Sequence, residues 1–202
     1  TFAKNIKILL EKNKLDCIDL DFEWAENEKE YKDYSLAILK MREVLGDKYL
    51  FSVSLHPVCY KISKEAIEAV DFISLQCYGP SPVRFPIEKY CSDIQMVLEY
   101  GIPKEKLVAG VPFYGVTKDN SKKTEAYFNF VQNGLVTSPA QNEVIYQGDT
   151  YVFDGQDNIR IKTRYAKEQK LKGMMSWDLA TDLPLSDSRS LLKTCLLYTS
   201  PS

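Results

Sequence analysis

Strand-like apolar runs alternate with amphipathic helical stretches along almost the whole chain, and this order limits the possible folds more than any single motif. Residues 2–13 place apolar side chains at positions 2, 3, 6, 9 and 10, one face of a helix. Residues 17–22 read as a strand, residues 28–45 as an amphipathic helix stopped by Gly46, and residues 49–55 (YLFSVSL) as a strand closed by His56-Pro57. A short helix over 64–69 precedes a strand over 71–78 that ends at Gly79-Pro80. A helix over 87–100, stopped by Gly101 with Pro103 beyond, leads into a strand over 107–114. Residues 161–171 then read as a helix, 173–177 as a strand and 188–193 as the start of a last helix. Strands separated by helices imply parallel pairing through right-handed crossovers, so the class is α/β.

The stretch from 116 to 158 breaks this rhythm. It holds a helical pattern over 124–131 and a hairpin pattern, 144–146 against 151–153 across Gly148-Asp149. It reads as an insertion beyond the C-terminal end of the fourth strand. Its aromatics Tyr127, Phe128 and Phe130 suit a small local core better than a ligand contact.

The first strand carries the chemistry. In LDCIDLDFEW, Asp19, Asp21 and Glu23 fall at every second position, so they share one face while Ile18, Leu20 and Phe22 share the other. Three carboxylates in a row on a covered strand repel one another and lose hydration, a cost that structure alone has no reason to carry. A solvated edge strand or a divalent-cation site would also use acids. The apolar residues before the run argue for a strand covered on both sides, and no second cluster of His, Asp or Glu sits on the other strands. Catalytic carboxylates are the leading reading. Asp16 has the opposite parity and is expected to fix the start of the strand.

Composition removes other classes. The 202 residues are 45% hydrophobic and 12% aromatic, enough for a sizeable core. A net charge of −2 gives no electrostatic footprint for nucleic acid or an anionic membrane, and no apolar run has membrane-spanning length. Cysteines 17, 59, 77, 91 and 195 show neither zinc spacing nor C-x-x-C pairing and read as small apolar fillers. No cofactor or metal is expected. His56 is the only histidine and reads as a satisfied strand-end residue.

Asp16-Cys17-Ile18-Asp19-Leu20-Asp21-Phe22-Glu23 resembles the D-G-x-D-x-D-x-E signature of glycoside hydrolase family 18, the chitinases and endo-N-acetylglucosaminidases. Gln76-Cys77-Tyr78-Gly79 is similar to the family's Met-x-Tyr-Asp or Met-x-Tyr-Asn strand end. Gly110-Val111-Pro112-Phe113-Tyr114-Gly115 resembles its next strand, and Gly173-Met174-Met175-Ser176-Trp177 its Trp-terminated last one. The resemblance implies an eight-stranded (β/α) TIM barrel, of which this chain would supply strands four to eight with a small insertion after strand seven. Five strands cannot close such a barrel, so an N-terminally truncated piece is expected, lacking activity by itself. Residues 1–194 would be the C-terminal part of the catalytic barrel. Residues 195–202 (CLLYTSPS) show no helical logic and are expected to be a non-native, adapter-derived tail.

Glycoside cleavage needs a proton delivered to the leaving oxygen while positive charge develops at the anomeric carbon. Glu23, last in the row and nearest the mouth, is placed for that acid, and its neighbour Asp21 favours the protonated form by like-charge repulsion. By resemblance, the substrate's acetamide oxygen is the nucleophile, giving retention in two displacements. Asp21 would orient the acetamide N–H, Asp19 would share a proton with Asp21, and Tyr78 would hydrogen-bond the acetamide carbonyl. Trp177 would floor the central sugar subsite, with Gln76 pointing inward beside Tyr78 and Tyr114 a further binding residue. The implied substrate is β-1,4-linked N-acetylglucosamine of the chitin type, and the implied protein is secreted and monomeric when full length. Cys17 in place of the motif Gly exchanges small for small, and Phe22 and Trp24 keep aromatic bulk. Gly79, where the family has Asp or Asn, removes a polar group from the site. That loss keeps a chitin-binding, lectin-like module in view as an alternative, alongside an endo-β-N-acetylglucosaminidase acting on N-glycans.

Overall fold

The computed structural model describes residues 1–199. Helix α1 (Phe2–Asn13) stops at Lys14, which takes a left-handed conformation and donates its N–H back to Glu11 O. Strand β1 (Cys17–Asp21) follows, and then α2 (Glu28–Leu45). Asn27 caps α2 by accepting from Glu30 N, while the Glu30 carboxylate accepts from Glu26 N and Asn27 Nδ2. This reciprocal cap explains why the helix starts where it does. Strand β2 (Leu50–Leu55), α3 (Lys64–Ala69), β3 (Phe72–Leu75), α4 (Ile87–Tyr100) and β4 (Leu107–Pro112) continue the alternation.

After β4 the chain leaves the regular pattern earlier than the sequence suggests. The strand expected over 107–114 ends at Pro112, and β5 (Tyr114–Thr117) belongs to a second sheet. The helical pattern over 124–131 resolves into β6 (Thr124–Ala126) followed by α5 (Tyr127–Gln132), because Thr124 and Glu125 pair with Val116 and Gly115 of β5. The hairpin is β7 (Glu143–Tyr146) against β8 (Asp149–Val152), turning on Gln147 and Gly148, which both take positive φ. Such a pair twists with the strands it joins, and this moves the turn one residue earlier than expected. Helix α6 (Gln156–Glu168) then returns to β9 (Gly173–Trp177), and α7 (Leu191–Thr199) ends the described chain. Helix α7 runs past residue 194, and Cys195 is buried beside Thr163; the rest of the expected tail, 200–202, lies outside the described residues.

Five strands form one parallel sheet in the order β1-β2-β3-β4-β9, and the antiparallel sheet has the order β6-β5-β8-β7. One face of the parallel sheet is apolar and closed. Phe51, Val53, Leu55, Ile73, Leu75, Leu107, Ala109 and Val111 are buried with side chains of α2, α3, α4 and α6 such as Ile38, Ile67, Ile94 and Ile159. The antiparallel sheet has its own aromatic cluster, with Phe130 against Tyr146, Tyr151 and Phe153. Tyr127 and Phe130 therefore pack internally, as their pattern suggests.

One expectation fails. Strand β1 is an edge strand whose only neighbour among the described residues is β2, so Asp19 and Asp21 are exposed instead of covered on both sides. The apolar residues that argued for a covered strand, Leu15 and the Ile18–Leu20 set, are exposed or only half-buried.

Candidate active site

Parallel registers carry side-chain parity from strand to strand. Asp19 lies opposite Ser52, Asp21 opposite Ser54, Ser54 opposite Ser74, and Ser74 opposite Val108. Gly110 lies opposite Met175 and Pro112 opposite Trp177. The face away from the helices therefore carries the carboxylate row, then serines, then Gly110 and Pro112, and finally Met175 and Trp177 on β9. Glu23, Gln76 and Tyr78 extend this face past the C-terminal ends of β1 and β3, where α/β sheets place their ligands.

A cleft of about 270 Å³ opens there, and Asp21, Glu23, Gln76, Tyr78, Tyr114 and Trp177 all line it. Of the seven residues singled out in the sequence, only Asp19 lies outside the lining, one step deeper along β1. A larger groove of about 420 Å³ runs beside α2 past Tyr31, Leu36 and Lys61, but it brings no paired carboxylates to an aromatic floor. The chemistry of the lining, and not the volume, selects the smaller cleft.

Each carboxylate has its own donors. Asp19 Oδ1 accepts from Ser52 Oγ at 2.5 Å and Oδ2 from Ser54 Oγ at 2.7 Å. Asp21 Oδ2 accepts from Gln76 Nε2 at 3.1 Å. Burial raises the Asp21 carboxyl above its ordinary value, and the charges of Glu23 and then Asp19 add to the rise while Gln76 opposes it. Repulsion in the row thus falls on its middle member, which has a charge on either side.

Tyr78 is buried, and its hydroxyl donates to Met175 Sδ at 3.5 Å, a weak acceptor that a ligand carbonyl would readily replace. Burial, Tyr114 and the acids Asp21 and Glu23 keep the Tyr78 phenol protonated far above neutral pH, so its hydroxyl always has a proton to donate. The ring fits because Gly110 has no side chain: a Cβ there would stand 2.8 Å from Tyr78 Cε1 and 2.7 Å from Leu75 O. Tyr114 meets Tyr78 edge-on at 6.4 Å and donates to Gly79 O at 3.2 Å. Behind Tyr114, Phe85 packs edge-on at 6.3 Å, and its carbonyl accepts from the buried Lys162 Nζ, which also pairs with Asp154 at 2.6 Å. Trp177 is 57% exposed, with its ring free to meet a ligand. The Glu23–Trp24 and Trp177–Asp178 peptide bonds, at opposite ends of the cleft, are both cis.

Several lining residues carried little sequence signal. Trp24 lines the cleft, 40% exposed, and meets His56 edge-on at 4.7 Å. His56 also lines it. Its Nδ1 accepts from Val58 N at 3.2 Å, which leaves the proton on Nε2 for Tyr78 O at 3.0 Å. Burial lowers the proton affinity of this imidazole, so it stays neutral and acts as a brace for the Tyr78 backbone. Ser52 and Ser54 could have been found from the alternation over 51–55 (FSVSL), where the hydroxyls share one parity and the apolar residues the other. Among the described residues, no group of three or more His, Cys, Asp or Glu side chains is arranged to hold a metal ion. No described helix is long and apolar enough to cross a membrane.

Comparison with known proteins identifies the family. A family model described as Glycosyl hydrolases family 18 matches residues 1–182. Probable chitinase 2 of Drosophila melanogaster is 23% identical over 245 residues, which take in 90% of this chain and 50% of that protein. The crystal structure of a family 18 chitinase from the chitin utilization locus of Flavobacterium johnsoniae is 28% identical, with a TM-score of 0.79 over 98% of this chain and 64% of its own. A chitinase-like agglutinin from Robinia pseudoacacia superposes with a TM-score of 0.80 over 98% of this chain and 72% of its own, at 18% identity, a likeness of fold alone. The chain spans about half the length of the curated relative. Its α/β fold with a parallel sheet matches the barrel of these chitinase structures.

Proposed function

The chain belongs to glycoside hydrolase family 18, and on that premise we propose that it is part of a secreted, monomeric glycosidase that cleaves β-1,4-linked N-acetylglucosamine of the chitin type. In this reading β1, β2, β3, β4 and β9 are the fourth to eighth strands of the barrel, and the antiparallel sheet is the insertion after the seventh. Glu23 gives its proton to the leaving glycosidic oxygen. The acetamide oxygen of the substrate attacks the anomeric carbon from the other face, and water then opens the cyclic intermediate with Glu23 acting as base, so configuration is retained.

Asp21 accepts the acetamide N–H and stabilises the charge that develops beside it, and Asp19 fixes the charge behind it. Tyr78 donates to the acetamide carbonyl, which displaces Met175 Sδ from the hydroxyl. Trp177 takes the apolar face of the sugar ring, with Gln76 and Tyr114 completing the pocket. One observation carries the reading: Asp21 at the end of β1 and Glu23 just past it, Gln76 and Tyr78 just past β3, and Trp177 of β9 converge on one cleft.

The test is Glu23→Gln in the full-length protein. Hydrolysis of a chitooligosaccharide should fall by about 10²–10⁴-fold, the scale of a lost general acid, while binding is retained. Unchanged turnover would end the assignment of the acid. A second reading, a glycan-binding lectin, draws on Gly79, which leaves the strand end without the family's polar side chain, and on the fold shared with the agglutinin. Binding without cleavage by the unaltered full-length protein would select it.

A further inference from the structure

The cleft does not stop at Trp177. A second hollow of about 300 Å³, at the lower end of ligand-sized pockets, adjoins it and shares Pro80, Tyr114 and Trp177 as lining. The rest of its wall comes from two segments far apart in sequence. Strand β6 of the antiparallel sheet brings Glu125, which lies opposite Gly115 of β5. Past β9, Asp178 caps the 3₁₀ turn Leu179–Thr181.

Both carboxylates are half-buried, and each is held through one oxygen. Glu125 Oε1 accepts from Ala126 N at 2.9 Å and from Asn129 Nδ2 at 2.7 Å, and Asp178 Oδ1 accepts from Ala180 N at 2.7 Å. Glu125 Oε2 and Asp178 Oδ2 have no donor among the described residues. Cations are at hand in the same sheet, but they go elsewhere: Lys118 pairs with Glu143 and Lys123 with Asp149, each at 2.6 Å. Among the described residues, no lysine or arginine pairs with Glu125 or Asp178.

Taken together, the two hollows are lined by the carboxylates Asp21, Glu23, Glu125 and Asp178 and by no lysine or arginine. Burial keeps His56, the remaining basic side chain of the lining, neutral. A cleft walled by one sign of charge concentrates ligands of the other sign. Two carboxylates are too few to hold a metal ion, which takes several oxygen ligands. The aromatic surface of Trp177 and Tyr114 suits a sugar ring, so the positive charge belongs on a sugar next to the one in the cleft. N-acetylglucosamine acquires such a charge when it loses its acetyl group, because the free amine is protonated in mildly acidic solution.

We propose that the hollow is a second sugar subsite that takes protonated glucosamine, so that the preferred polymer is partially deacetylated chitin. The acetylated sugar lies on Trp177 in the cleft, and its deacetylated neighbour turns its ammonium to Glu125 and Asp178. The inference rests on the hydrolase reading for which sugar reacts, and on the charge and shape of the hollow for which sugar sits beside it.

The experiment compares the full-length protein with Glu125→Gln/Asp178→Asn, which keeps the shape and the oxygens that hold each side chain. On hexamers in mildly acidic buffer, the ratio of kcat/KM for a partially deacetylated to a fully acetylated chain should exceed one and fall about three- to tenfold in the variant, the scale of two partly exposed ion pairs. Glu125→Gln alone should give part of that fall, and it stands in if the double variant does not fold. In the unaltered protein the preference should weaken as salt rises, which hydrogen bonds to neutral hydroxyls would not do. Calorimetry with a glucosamine oligomer needs no turnover, and its affinity should drop by the same factor in the variant. An unchanged ratio and an unchanged affinity overturn the subsite even if the protein hydrolyses chitin. A lost affinity for the glucosamine oligomer in a protein that cleaves neither hexamer upholds the subsite and counts against the hydrolase reading instead.

Discussion

Replacing Lys162 by Met should be the costliest single change outside the cleft. Lys162 and Asp154 are both fully buried, 2.6 Å apart, and the ammonium also donates to Phe85 O and stands 5.4 Å from the Tyr90 ring centre. Methionine fills the stem but removes the charge. Asp154 is then left in the interior with Asn158 Nδ2 as its remaining side-chain donor, and the Phe85 carbonyl loses its bond. Removing one partner of a buried pair costs about 3–5 kcal/mol, and the stranded carbonyl adds about 1–3 kcal/mol. Against a total stability of about 5–15 kcal/mol, this takes most of the margin. Urea unfolding of the full-length protein, followed by tryptophan fluorescence and circular dichroism, reads the loss directly. The companion variant Asp154→Leu/Lys162→Met should recover a large part of it, because no charge is then left without a partner. A loss below about 1 kcal/mol at an unchanged m-value, or a double variant that is simply the sum of the two singles, would refute the argument.

Two further outcomes follow from the cleft. Gly110→Ala puts a methyl group against Leu75 O and Tyr78 Cε1; it should cost about 1–3 kcal/mol in a urea titration and lower kcat, and a neutral effect on both would show that Tyr78 has room to shift. Asp21 carries a raised carboxyl, so the folded state holds its proton where the unfolded chain, near 3.8, has lost it. Its ionisation opposes folding as pH rises through that window. Asp21→Asn should therefore lose activity yet raise the urea midpoint, more at pH 7 than at pH 3.5, and an equal change at both would rule out the cost of ionising Asp21, set first by its burial and then by repulsion in the row, as the cause.

Helices with a clear apolar stripe and a stop signal were legible to the residue: α1, α2, α3 and α4 all begin and end where periodicity and the Gly46 or Gly101 stop put them. Helix α6 was not. Its first turn, Gln156-Asp157-Asn158, is polar, and one of its buried positions is Lys162, so the pattern hides the face that packs. The strands of the insertion depend on pairing between distant residues, Val116 with Thr124 and with Val152, which no local window contains. The parity of the carboxylate row could be read from spacing alone. Its exposure could not, because that depends on which neighbours β1 has. The serine partners of Asp19 come from register, and register is a property of two strands together.

The antiparallel sheet leaves the barrel strand with only Phe113 between β4 and β5, and Tyr114 opens it directly on the cleft. The wall at Tyr114 is thus fixed at the root of the antiparallel sheet, while the β7–β8 hairpin at the other edge of that sheet adds no residue to the lining. On the function proposed above, lengthening or trimming that hairpin would reshape the surroundings of the cleft while leaving its carboxylates in place.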